Sequence, residues 1–524
     1  MKKIYIYDST LRDGTQGKGI SFSVNDKIRI VERLDKLGVD YIEAGNPGSN
    51  PKDLEFFDKA SKMNLTHSKI CAFGSTHRVG VPVEEDKNVV SLLSAGTPVV
   101  AIFGKAWDMH VTEILKTDLE TNLKIIYDTI AFFKKHGKEV IFDAEHFFDG
   151  YKNNPEFAVK AIQAADKAGA DWIVLCETNG GAFPDEIADI TKTAIDAVSA
   201  KVGIHCHNDS EMAAANSVMA VLNGAEQVQG TINGIGERCG NANLCSIIPN
   251  LQLKRGYDCI PPENMKNLTK TSRFVSMTAN ITHDERQPYV GASAFAHKGG
   301  MHIDGVQKNS ATFEHIDPSV VGNKRRFLIS DMSGRSNLIG VINDVDPTIE
   351  KNSPETEKIM QRLKELEHQG YQFEGAESSV ELMIRKELGV YKSFFELIQF
   401  KVWTDEPSVE ENCNSSAMIK IRVDGREEIT AAQGAGPVNA MDKALRRALE
   451  RFYPQLSGVR LTDYKVRVID SNDATAAKVS VVIESSDGEN TWHTIGVSAD
   501  ILNASWMALV DSVDYYLLCE ERKK

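Results

Sequence analysis

Apolar and polar positions along the first 250 residues follow a repeated two-part pattern. Short runs rich in β-branched and apolar residues alternate with longer stretches in which apolar residues recur at the helical period. The runs at 3–7, 41–45, 69–73, 99–103, 139–143, 172–176, 202–207 and 227–231 read as strands. Between them, 26–37, 118–136, 155–168 and 209–222 read as helices, several ending at a glycine stop such as Gly38, Gly137 or Gly224. Eight βα units in about 250 residues match the count and size of a (β/α)8 TIM barrel. The alternative, an open doubly wound sheet, would carry a glycine-rich phosphate loop after its first strand, and none is present.

The pattern changes twice further on. From about residue 254 to 393 it becomes helical, irregular and charged, with glycine clusters at Lys298-Gly299-Gly300 and Ser333-Gly334. The charge-rich stretch 343–373 reads as solvated helix, since a run of charges is usually a wet face. Beyond it, 394–403, 416–423 and 427–433 read as strands followed by a helix at 437–453. Three more strands at 460–469, 474–485 and 491–497 precede a helix at about 499–518. A βββα unit therefore occurs twice. The expected organisation is a catalytic barrel at 1–265, helical linker subdomains at 266–393 and an α+β (βββα)2 regulatory domain at 394–524.

Composition narrows the function classes. A chain of 524 residues exceeds a single core, and 42% hydrophobic with 26% charged residues is ordinary for a globular protein. The net charge of −14 argues against a nucleic-acid surface, which needs clustered positive charge. No signal-peptide core follows Met1, and no apolar run reaches the roughly 20 residues a membrane span needs. The eight cysteines show no CxxC pairs and read as reduced thiols. Cytoplasm is the expected compartment.

In a TIM barrel, chemistry collects at the C-terminal ends of the strands. Those positions here are Asp8, Arg12, Asp13 and Gln16 after the first strand, Glu145 after the fifth and Glu177, Thr178 and Asn179 after the sixth. The seventh ends in His205-Cys206-His207-Asn208-Asp209, and segment 233–241 follows the eighth. Residues i and i+2 of a strand share a face, so His205 and His207 point together into the barrel mouth while Cys206 points away. Two imidazoles there, with Asp13 as a third ligand and Asn241 as a fourth, make a mixed N/O site for a divalent cation. Such a set accepts Mn2+, Zn2+, Co2+ or Mg2+. Arg12 suits an anionic substrate and a developing oxyanion; the competing reading is a structural salt bridge. Glu145 and Glu237 compete with roles as rim scaffolding, and Thr178, a donor for a carboxylate, competes with a helix cap.

The run Leu11-Arg12-Asp13-Gly14-Thr15-Gln16, the His205/His207 pair and segment 233–241 together resemble a metallo-barrel family. That family holds the 2-isopropylmalate, homocitrate and citramalate synthases, hydroxymethylglutaryl-CoA lyase and the carboxyltransferase domains of pyruvate carboxylase. Segment 296–305, which contains His302, is similar to the synthase segment that follows the barrel. Gly434, Gly436 and Pro437, with Asp473 and Ala474, resemble the synthases' C-terminal amino-acid-sensing domain. Segments 45–53 and 176–181 are most similar to the citramalate synthase branch.

The resemblance implies a Claisen-type condensation of acetyl-CoA with a 2-oxo acid, pyruvate in that branch, to give (R)-citramalate for isoleucine synthesis. It implies a divalent metal on Asp13, His205, His207 and, more weakly, Asn241. Arg12, with Gln16, would bind the acceptor's oxygens, Thr178 its carboxylate, and Glu145 would sit against it. His302 of the partner subunit would help activate the acetyl methyl group, making a homodimer, and isoleucine would be the inhibitor. One departure stands out: eleven residues past that histidine the synthases carry a tyrosine that assists proton transfer, and here the position is Phe313. The rival readings are a 2-isopropylmalate synthase, an acyl-CoA lyase and an amino-acid-binding regulator with an inactive barrel.

Overall fold

A computed structural model describes residues 1–48, 51–328, 335–373, 376–404, 415–469 and 477–523. It forms two compact units, one of Met1–Ala294 with Pro318–Lys324, the other of Phe295–Asp317 with Arg325–Lys524.

The first unit is built on a closed parallel barrel of β1 (Tyr5–Asp8), β2 (Tyr41–Glu43), β3 (Lys69–Ser75), β4 (Val99–Lys105), β5 (Glu139–Glu145), β6 (Trp172–Glu177), β7 (Lys201–Cys206) and β8 (Gln227–Gly230). Each strand pairs with the next, and β1 closes the circle on β8, with Tyr5 opposite Gln227 and Asp8 opposite Gly230. Every strand anticipated from the periodicity is present within a few residues of its expected ends. Helices on the outside and side chains on the inside bury both faces, which is why these strands read as near-continuous apolar runs.

Alternate residues fill the interior in layers, and the layers grade from apolar to polar. Tyr7, Tyr41, Cys71, Val99, Ala101, Ile141, Trp172 and Val174 form a buried apolar cluster within the barrel. Two residues further along the same faces stand Glu43, Asp143 and, from β7, His205, all buried. Phe73 and Phe103 stack at 5.2 Å between centroids, an apolar wall inside the polar layer. The pleat therefore delivers polar side chains to the C-terminal mouth without any special loop.

The outer helices start and stop where local chemistry dictates. Val24–Leu37 opens with a Ser23/Asp26 capping box and closes at Gly38, whose φ of 93° lies in the left-handed region. A Cβ there would also meet Pro261 Cδ at 2.5 Å. The helix after β7 begins at Ala213, four residues later than the periodicity suggests. Asp209 is used instead to pair with Arg238, and Glu211 takes φ 62°, so the chain cannot wind there. Helix Leu268–Thr278 belongs to this unit, where the Asn233 Nδ2 donates to Ser272 O at 2.8 Å.

The second unit contains a short parallel pair, β9 (Ala296–His297) with β10 (Arg326–Phe327), and helices Gly300–Lys308, Arg335–Val345, Pro354–His368 and Glu377–Glu387. Two antiparallel sheets follow the twofold βββα pattern. One is β11 (Glu396–Thr404), β12 (Ser415–Val423) and β13 (Arg426–Gly434) with helix Pro437–Leu449; the other is β14 (Arg460–Val468), β15 (Val479–Ser486) and β16 (Thr491–Ser498) with helix Ile501–Arg522. Strict alternation in β12, buried at every second residue, sets one face of that sheet on its helix. Leu445, Leu449, Ile419, Ile421, Ile483 and Trp506 share one core. Among the described residues, no helix is long and apolar enough to cross a membrane.

Candidate metal centre and active site

The strongest cluster lies at the top of β7. His205 and His207 project from one face as the strand period requires, with their Nε2 atoms 3.4 Å apart. Asp13 arrives from the turn after β1, its Oδ2 3.5 Å from the His205 Nε2. That turn is pinned from below: Asp8 accepts from the Thr10 amide at 3.0 Å and hydroxyl at 2.9 Å, and Gly14 N donates to Ser9 O at 3.0 Å. Asn241 is carried in by a backbone bridge to His207, flanked by Asn208 N to Gly240 O at 3.0 Å and Ala242 N to Cys206 O at 2.9 Å. Glycine is required on that hairpin at Gly240, whose φ is 93° and where a Cβ would stand 2.0 Å from the Gly234 carbonyl oxygen; a Cβ on Gly236 would stand 2.1 Å from the Asn241 Nδ2 and push that side chain aside.

One ligand atom from each of Asp13, His205 and His207 lies within 4.8 Å of the others. Asp13 Oδ1, His207 Nδ1 and Asn241 Oδ1 are buried with no hydrogen-bond partner among the described residues. Native interiors rarely leave such atoms unsatisfied, and a cation among Asp13, His205 and His207 would satisfy the Asp13 oxygen. Burial pushes the Asp13 carboxyl up, but the Arg12 guanidinium and both imidazoles offset this and hold it below the ordinary carboxylate range. Burial holds His205 below its ordinary value. Burial and the neighbouring His205 bring His207 down to about 4. One carboxylate and two neutral imidazoles are the protonation states that metal binding needs. The residues fit a divalent metal of the borderline N/O class.

Arg12 is locked beside this cluster. Its Nε and Nη2 donate to Glu43 at 2.7 and 3.2 Å, its Nη1 lies 3.3 Å from Asp13, and its guanidinium sits 3.6 Å above the Phe73 ring. Glu43 is fully buried and accepts two further hydrogens, from Tyr7 at 2.8 Å and from the Ser9 hydroxyl. The salt bridges of Arg12 are present, and they do not use all five of its N–H donors. Glu43 and Asp13 hold the guanidinium, and Arg12 also faces a cavity of about 380 Å3 lined by Gln16, Phe22, Lys27, Asn46 and Asp53 among others. Gln16 is exposed on that wall, and Lys27 and Asp53 form a buried pair at 2.6 Å on the same wall.

On the opposite side of the mouth, Glu145 accepts from Lys105, the last residue of β4. The Thr178 hydroxyl accepts from the His146 amide at 3.0 Å, which leaves its own hydrogen to donate. Arg238 grips this rim, donating to Thr178 O at 2.7 Å and to both Asp209 oxygens. Burial raises Asp143 to about 8 and Asp8 to about 7, so both favour the neutral form more than an exposed carboxyl would. Cys206 is buried away from the cluster, and burial drives its thiol well above the ordinary range.

The remaining candidates fall in the second unit. His302 lies on an exposed face of helix Gly300–Lys308, stacked on Phe313 with centroids 4.2 Å apart. Gly434 ends β13, where a Cβ would meet the Ala440 amide nitrogen at 2.5 Å, and Gly436 and Pro437 open the following helix. Asp473 lies outside the described residues. Sequence reasoning missed Glu43, Lys105, Asp143 and Gln229. Each carried one available signal, a polar residue at an inward position near the end of a barrel strand.

Residues 3–275 match the HMGL-like family, 289–371 the homocitrate synthase post-HMGL domain-like family, and 374–517 the LeuA allosteric (dimerisation) domain. The (R)-citramalate synthase of Aquifex aeolicus is 54% identical over 523 residues, covering 100% of this chain and 99% of the relative. That of Geobacter sulfurreducens is 50% identical, covering 99% and 98%. The chain belongs to the (R)-citramalate synthase family. A probable 2-isopropylmalate synthase of Methanopyrus kandleri, 32% identical with 98% of each chain covered, is a more distant relative of this citramalate synthase family member. Members of the HMGL-like family depend on a divalent metal, and Asp13, His205 and His207 form a site able to hold one.

Proposed function

We propose that this chain condenses acetyl-CoA with pyruvate to give (R)-citramalate and CoA. The observation that carries the reading is the convergence of Asp13, His205 and His207 beside Arg12 at the barrel mouth, in a chain about half identical to (R)-citramalate synthases along its whole length. A divalent metal held by those three residues, with Asn241, would supply a Lewis acid and a template for the 2-oxo acid.

The protein's own groups do the rest. Arg12 is pre-oriented by Glu43 and Phe73, so its guanidinium meets the pyruvate ketone oxygen, where negative charge develops, with little reorganisation. Gln16 adds a contact on the same side. Thr178 donates to the pyruvate carboxylate with the hydrogen its bond to His146 leaves free. Glu145, oriented by Lys105, lies against the bound acceptor. His302 of the partner subunit stands beside the acetyl methyl, where a proton is removed. The methyl carbon then bonds to the ketone carbon, the oxygen takes up a proton, and water cleaves the thioester to release CoA.

The division of the chain follows the same reading. Segment 1–265 is the catalytic barrel, 266–393 carries His302 toward a neighbouring copy, and 394–524 senses the end product, isoleucine, around Gly434, Gly436, Pro437 and Asp473. A homodimer is supported by apolar residues left open on the sheets: Trp403, Ile429 and Val468 are 47%, 57% and 53% exposed.

Thiol release from acetyl-CoA tests the proposal, comparing pyruvate, 2-oxobutyrate, 2-oxoisovalerate and 2-oxoglutarate with Mn2+ or Zn2+ present. Release with pyruvate far above the others, abolished by chelator and restored by metal, is the expected result. A preference for 2-oxoisovalerate would move the acceptor to that of 2-isopropylmalate synthases, and no release with any acceptor would refute the condensation.

A further inference from the structure

Behind the paired imidazoles lies a row of buried polar side chains to which the condensation chemistry gives no task. β7 and β8 place His205 directly opposite Gln229, and the His205 Nδ1 is 3.0 Å from the Gln229 Oε1. On its other side the Gln229 Nε2 donates to Asp143 Oδ1 at 3.0 Å and reaches Gln227 Oε1 at 3.5 Å. Gln229 is fully buried, and His205 and Asp143 nearly so.

A carboxamide has one donating end and one accepting end. Asp143 Oδ1, which accepts even when the other carboxyl oxygen carries a proton, draws the NH2 of Gln229 to its side, which leaves the Gln229 carbonyl for His205. A carbonyl oxygen only accepts, so the His205 Nδ1 carries the hydrogen and its Nε2 is bare. That bare nitrogen is the one that lies 3.5 Å from Asp13 and 3.4 Å from the His207 Nε2.

We propose that Gln229 is a positioning residue of the metal centre, holding His205 in its Nδ1–H tautomer, and that Asp143 orients the Gln229 amide for that task. The inference rests on the metal-site reading above. It makes the two histidines unequal. His207 has a buried Nδ1 with no partner among the described residues, so the preset geometry resides in His205. Asp143 and Gln229 then act through a ligand, without touching the substrate, as outer-shell partners of metal-bound histidines do.

The test is Mn2+ binding to the full-length metal-free protein, titrated by electron paramagnetic resonance, for the wild type, Gln229→Met and Gln229→Glu. Methionine matches the length and offers no comparable acceptor, whereas glutamate keeps an oxygen for the Nδ1 hydrogen. Gln229→Met is expected to bind Mn2+ about 10–100-fold more weakly, with Gln229→Glu recovering most of the loss. A second measurement needs no folded Gln229 variant: 15N-histidine NMR of the wild type, with His205→Asn assigning the resonance, is expected to show the Nδ1–H form. Equal Mn2+ affinity in Gln229→Met, or an Nε2–H His205, overturns the support while the wild type still takes up stoichiometric Mn2+. A wild type that takes up none overturns the metal site and the support with it.

Discussion

Replacing Glu43 by glutamine removes one charge from the buried layer beneath the site without changing its volume. Glu43 accepts four hydrogens, from Tyr7, Ser9 and two nitrogens of Arg12, and is shielded from water. Glutamine keeps one acceptor oxygen and puts an NH2 where the other stood, so one Arg12 nitrogen faces a donor while the hydroxyl at that position must turn to accept. Each unsatisfied buried group costs about 1–3 kcal/mol. Arg12 also loses its main counter-charge, with Asp13 at 3.3 Å as the remaining anion. Breaking a buried pair on one side costs about 3–5 kcal/mol, so a loss of roughly 3 kcal/mol is expected once Asp13 compensates in part. The guanidinium, drawn toward Asp13, leaves its place over Phe73, and a misplacement of about 1 Å is enough for a roughly 100-fold fall in kcat/KM. Urea unfolding followed by near-ultraviolet circular dichroism measures the first effect, and thiol release with pyruvate the second. Wild-type urea stability together with undiminished kcat/KM in Glu43→Gln would refute the claim that Glu43 sets Arg12.

Three further expectations follow from single contacts. Gly236→Ala puts a Cβ 2.1 Å from the Asn241 Nδ2, so the Asn241 side chain must turn away; weaker metal binding with little change in overall helicity is expected by titration and circular dichroism. Thr178→Val keeps the shape but removes both the acceptor for the His146 amide and the donor proposed for the pyruvate carboxylate. A KM for pyruvate raised about 10-fold, with a smaller change in kcat, is expected from steady-state kinetics, equivalent to about 1.4 kcal/mol. In the second unit, burial raises Asp514 from 3.8 to about 6, against the lowering influence of the Tyr391 hydroxyl and the Phe394 amide; Asp511 adds to the rise and Lys386 opposes it. A raised acid pKa gives stability that is complete below pH 3.8 and lost as the pH climbs through about 6. The stability difference between wild type and Asp514→Asn should therefore move in favour of the variant by roughly 2 kcal/mol from pH 4 to pH 7; a difference independent of pH would contradict it.

The barrel was legible because its signal is repetitive: eight apolar runs, each inward residue alternating with one facing the helices. The His205/His207 pair was legible for the same reason, since strand spacing alone puts both rings on one side. Glu43 and Gln229 were not, and the obstacle is physical. Their importance lies in cross-strand neighbours, Glu43 with Arg12 and Gln229 with His205, and those pairings depend on a register between strands that one sequence does not state. The alternation Gln227, Val228, Gln229 did carry a hint, two amides on one face of an otherwise apolar strand. Helix starts were misjudged where loop side chains had other commitments, as Asp209 has to Arg238. The pair β9 and β10 escaped notice because two residues each give no period to detect.

The closure of β8 onto β1 has a temporal consequence. Asp13, His205 and His207 all precede residue 227, yet Gln229 and Asn241 come after it, and the first and last strands must meet before the early side chains face the late ones. Such distant pairings form slowly and late. A chain interrupted during synthesis before its eighth strand owns three donors and no place to assemble them. A preorganised arrangement of these side chains is thereby deferred until the ring is complete.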